Sequence, residues 1–121
     1  MVTILGKEYE LRFTLWAKQQ FVNLYGTYKL QELMDVESDD ELYKRIVEMA
    51  RVMIQAANLR TKLDLEAFLD EQELPPENCW LFMEDREIGD LLTAITQAYA
   101  KSFKMTVAVQ SDPKDEATQL K

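Results

Sequence analysis

The chain has 121 residues, 47% hydrophobic and 30% charged, the composition of a folded domain; its length fits one domain that removes roughly two-thirds of its unfolded surface from water. Its 22 acidic against 14 basic residues leave a net charge of -8, which repels phosphate backbones and anionic lipid surfaces and argues against nucleic-acid and membrane partners. Histidine is absent, so the commonest general base near neutral pH and the commonest metal ligand are missing, and the single cysteine, Cys79, allows no internal disulfide.

In chain order, Val2, Ile4, Tyr9, Leu11 and Phe13 alternate with the two-residue period of a half-buried strand, and Gly6-Lys7 has the Gly-X form of a type II′ hairpin turn. Thr14 is placed to cap a helix carrying Leu15, Trp16, Phe21, Val22 and Tyr25, and Gly26 suits the left-handed residue that closes it. Thr27 can cap a short second helix whose Tyr28, Leu30, Leu33 and Met34 form its apolar side. Ser38 and Glu41 then have capping-box spacing, so a third helix is predicted from about Asp39. Leu42, Ile46, Met49, Ala50, Met53, Ile54 and Ala57 lie on one face of it, and Glu41 and Arg45 suit an i,i+4 ion pair on the other.

The stripe is lost over Asn58 to Leu63. Asp64 to Asp70 reads as a short helix with Leu65, Phe68 and Leu69 inward. Pro75-Pro76 interrupts any helix, and Pro76 suits a first helical position. No element is assigned to Asn78 to Asp85. Ile88, Leu91, Leu92, Ile95, Ala98, Tyr99 and Phe103 mark a final helix, with Asp85, Glu87 and Asp90 at its positive end and Lys101 and Lys104 at its negative end. Met105 to Val109 alternates at period two and is expected either to add a third strand to the hairpin or to offer a partner a free edge. The predicted fold is α+β and mainly α: an N-terminal hairpin followed by a compact set of four to five amphipathic helices, one domain over 1–110, with a disordered polar tail over 111–121.

The run Gly6-Lys7-Glu8-Tyr9, then Leu11-Arg12-Phe13-Thr14, a helix and Gly26, resembles the opening of the small tail assembly chaperones of long-tailed bacteriophages and their prophages. The later order of a long amphipathic helix, a short acidic helix and a final helix is similar over most of the chain. The resemblance implies a protein that coats the hydrophobic tape measure protein, keeps it soluble, helps recruit tail tube subunits, and is absent from the finished particle. It also implies a longer frameshifted form of the same protein as a further partner, and a homo-oligomer is compatible with it. No binding residue is carried over from the family.

No catalytic constellation is legible. Cys79 lies beside Trp80, Leu81 and Phe82 with no histidine to activate it, so it reads as a small buried hydrophobe. The acidic runs at Asp39-Asp40-Glu41 and Glu84 to Asp90 lack EF-hand spacing and fit the starts of helices better than a metal site. No cofactor is expected. Most apolar side chains at helical spacing read as core; Trp16, Tyr28, Trp80 and Phe82, which lie off the clearest stripes, together with Met105, Val107 and Val109, are the candidate partner-binding residues. The chain shows no secretory leader pattern and no apolar run long enough to span a bilayer, and a cytoplasmic location is expected. The competing expectation is a tail completion or connector subunit that stays in the particle and exchanges strands with its neighbours.

Overall fold

The computed structural model describes residues 1–62 and 74–110. Two short antiparallel strands, β1 (Val2–Ile4) and β2 (Lys7–Tyr9), open the chain, followed by helices α1 (Leu15–Tyr25), α2 (Leu30–Leu33) and α3 (Asp39–Lys62), a 3-10 helix (Glu77–Phe82) and α4 (Asp85–Gln110). The protein is therefore mainly helical with an N-terminal hairpin, as its patterning indicates.

The hairpin turn differs from the expected one. Strand pairing of Val2 with Tyr9 and Ile4 with Lys7 puts Leu5-Gly6 at the turn, and both residues have positive φ, 50° and 88°. This is the arrangement of a type I′ turn, whose twist matches that of the strands. Strand β2 ends at Tyr9 because the following segment is drawn to α3: the Arg12 N–H donates to the Met53 carbonyl at 3.1 Å. Phe13 is buried among Phe21 (5.3 Å between ring centroids), Tyr99 (4.8 Å) and Phe103 (6.0 Å).

The Thr14 side chain accepts from the Ala17 N–H at 3.2 Å, so the chain turns into α1 where its capping residue stands. Gly26, at φ 80°, ends that helix and donates its N–H to the Val22 carbonyl at 2.8 Å. Thr27 instead accepts from Lys29 at 3.1 Å, a local turn, and α2 begins only at Leu30. Ser38 accepts from the Glu41 N–H at 3.2 Å at the start of α3. Arg45 leaves its expected partner Glu41: it donates to the Leu33 carbonyl at 3.2 Å and lies 4.6 Å over the Tyr25 ring. Tyr25 in turn donates its hydroxyl to Glu48 at 2.8 Å, so α1, α2 and α3 are tied at one corner.

Helix α3 is the central element, about 36 Å long at 1.5 Å per residue over its 24 residues. It packs against α1, α4 and the 3-10 helix, while β1 lies on α4. Contact on several sides explains why Val47, Val52 and Ala56 are buried along with the predicted stripe of Ile46, Met49, Ala50, Met53, Ile54 and Ala57. Helix α3 continues to Lys62, beyond the point at which the apolar periodicity fades. The core is completed by Val2 and Ile4 of the hairpin, Ala17 and Phe21 of α1, Leu33 of α2, and Ile88, Leu91 and Ile95 of α4.

The third strand expected at Met105 to Val109 is not formed. The backbone there continues α4 to Gln110. The two-residue alternation is read against a helix already running from Asp85, and extending it adds one hydrogen bond per residue without a new nucleus. The predicted helix at Asp64 to Asp70 and the tail at 111–121 lie outside the described residues.

Candidate partner-binding surface

The 3-10 helix is held on α3 from both ends. Pro75 and Cys79 are buried, and the Arg51 guanidinium of α3 donates Nε to the Pro75 carbonyl at 2.9 Å and Nη1 to Glu77 at 3.2 Å. Trp80 is half-buried beside Tyr43, with ring centroids 6.3 Å apart. The next two residues face solvent: Leu81 is 61% and Phe82 76% exposed. The segment left unassigned by pattern is thus an ordered single-sided platform. Beyond it, Glu84 leads into α4, its N–H taken by the Glu87 carboxylate at 2.8 Å as in the returning half of a capping box.

The sequence candidates fare differently. Phe82 is exposed on this platform. Trp16 is half-buried and packs against the core, and Tyr28 is half-buried, stacked on Phe103 at 6.4 Å, with the Lys18 ammonium 4.2 Å from its ring. Among the described residues no ring-to-ring contact joins Trp16, Tyr28, Trp80 and Phe82. Met105, Val107 and Val109 stand on a helical backbone, so they present no strand edge.

A second apolar surface was missed. Leu15 and Val22, two of the apolar residues whose spacing marks α1, face outward, with Leu15 81% exposed. The signal was available: Ala17 and Phe21, four residues apart and fully buried, define the inner line, and Leu15 and Val22, seven apart, fall on another side of the same helix.

Burial pushes the Cys79 thiol above its ordinary pKa, with the Arg51 charge acting partly against that shift. Burial first, then the hydrogen bond to Glu48, raises the Tyr25 phenol well above its usual range. The acidic runs fall in the first turns of α3 and α4, where the helix dipole favours negative charge. Among the described residues no group of three acidic or cysteine side chains is placed to hold a metal ion, and no helix is long and apolar enough to cross a membrane.

Compared with known proteins, the chain matches no protein-family model, no curated protein and no solved structure.

Proposed function

We propose that this protein is a non-catalytic binding protein, a phage tail assembly chaperone that holds a tape measure protein in soluble form while tail tube subunits are recruited. The observation that carries the reading is the pairing of exposed apolar side chains, Leu81 and Phe82 on the 3-10 platform and Leu15 and Val22 on α1, with an exterior of net charge -8. Large apolar side chains on rigid elements offer a helical hydrophobic partner area to bury, and the acidic remainder keeps the complex dispersed. The strand, turn, strand and capped-helix opening that resembles the chaperones supports the same reading. The missing histidine and the buried Cys79 leave an enzyme without its usual groups.

The connector reading used the hairpin together with Met105 to Val109 for strand exchange; the hairpin is formed, and the second stretch is helical. The two readings separate by composition. A chaperone co-purifies with the tape measure protein from lysates taken during assembly and is missing, by mass spectrometry, from purified particles. Recovery of the chain at stoichiometric amounts in finished particles would replace the chaperone reading with the structural one.

A further inference from the structure

A cleft of about 520 Å³ opens between the segment after β2, the far end of α3 and the middle of α4. Its charge is opposite to that of the molecule. Three cationic side chains, Arg12, Arg60 and Lys101, line it, each from a different element, against one carboxylate, Glu10. That carboxylate is already engaged by the Arg12 Nε at 2.7 Å, and the guanidinium has further N–H donors beyond the one used. In a chain with 22 acidic and 14 basic residues, three cations around one cleft are a local inversion. The Thr14 cap of α1 also stands on the wall, bringing the positive end of that helix to the same place. The floor is apolar, made by Leu11, Phe13 and Ala98.

We infer that this cleft binds a short acidic and apolar peptide segment of a partner protein, its carboxylates on Arg12, Arg60 and Lys101 and an apolar side chain on the Leu11 and Ala98 floor. Charge complementarity selects an anionic occupant, and guanidinium groups suit carboxylates through paired N–H donors. A long polyanion is disfavoured because the chain as a whole carries a net charge of -8. A bare phosphate has no use for an apolar floor, and none of the three glycines of the chain lines the cleft to make a phosphate-cradling loop. The volume lies within the roughly 300–1,000 Å³ of ordinary ligand clefts, which suits a few residues rather than a whole helix. This site is formed by other residues than the exposed apolar surface of the chaperone reading and stands or falls separately from it.

The test uses the full chain and an acetylated, fluorescently labelled hexapeptide alternating glutamate with leucine, with its glutamine-for-glutamate counterpart as control. Fluorescence anisotropy is expected to show binding of the acidic peptide that weakens with salt, and at least roughly tenfold weaker binding of the neutral one, the sum of several modest charge pairs. Arg60→Gln and Lys101→Gln should each weaken binding roughly twofold to fivefold, as expected of single exposed charge pairs. Both side chains are exposed, so neither substitution should alter the circular dichroism spectrum. Lys44→Gln, about 24 Å from Arg60 along α3 at 1.5 Å per residue, should leave binding unchanged. Equal binding of the two peptides, indifference to both cleft substitutions, or full displacement of the acidic peptide by low-millimolar inorganic phosphate would overturn the proposal.

Discussion

Two glycines give one substitution two opposite outcomes. A Cβ built on either Gly26 or Gly89 meets no atom within 4 Å, so crowding does not distinguish them and the backbone alone decides. Gly89 lies within α4, where glycine costs about 0.5–1 kcal/mol relative to alanine through the freedom it loses on folding. Gly89→Ala should therefore stabilise by about 0.5–1 kcal/mol, a rise in Tm of about 2–5 °C for a domain of this size. Gly26 sits at φ 80°, where a Cβ costs about 1–2 kcal/mol. Restricting the unfolded chain returns about 0.4–1 kcal/mol, so Gly26→Ala should destabilise, by up to about 1.6 kcal/mol. Urea unfolding followed by circular dichroism at 222 nm reads both. Shifts of the same sign in the two variants would refute the argument, because it allows the sign to follow only from the backbone conformation.

Further outcomes follow from burial and ionisation. Phe21→Ala, at a fully buried ring in the aromatic node, should cost about 3–5 kcal/mol, whereas Leu15→Ser on the outer side of the same helix should stay within about 0.5 kcal/mol of the parent by urea unfolding. Cys79, buried and with its thiol shifted upward, should react with Ellman's reagent far more slowly in the native protein than in urea; equal rates would mean that the 3-10 helix is not seated on α3. Tyr25 should stay protonated in a spectrophotometric titration through pH 10, the ordinary value of a tyrosine phenol in a peptide. Its folded pKa lies above its unfolded value, so the stability it contributes is complete below about pH 10 and declines as the pH rises beyond that; Tyr25→Phe should flatten this decline.

Where neighbouring residues decide the structure, the sequence was readable. Thr14, Gly26 and Ser38 act on backbone groups within four residues, and each does what its position indicates. The inner line of α3 was legible for the same reason, as its period is set by the helix itself. Errors arose where a distant segment intervened. Strand β2 stops at Tyr9 because Arg12 is bound by Met53, 41 residues away in sequence, and Arg45 left Glu41 for Leu33 and Tyr25. The third strand failed because alternation at Met105 to Val109 carries no record of the helix already arriving there. At the surface, side-chain size was a poor guide: Trp16 and Tyr28 found neighbours, whereas Leu15 and Leu81 did not. The cationic cleft was invisible for a related reason, since Arg12, Arg60 and Lys101 are far apart in the chain and only the packing of three elements assembles them.

The most direct measurement is co-expression of this chain with the tape measure protein of the same genome, scoring how much of that protein is recovered in the soluble fraction. The chaperone account expects soluble recovery with the parent chain, and its loss with the Leu81→Ser and Phe82→Ser double variant, which stays folded because both side chains are exposed. A tape measure protein that remains insoluble beside the well-folded parent chain would contradict the account.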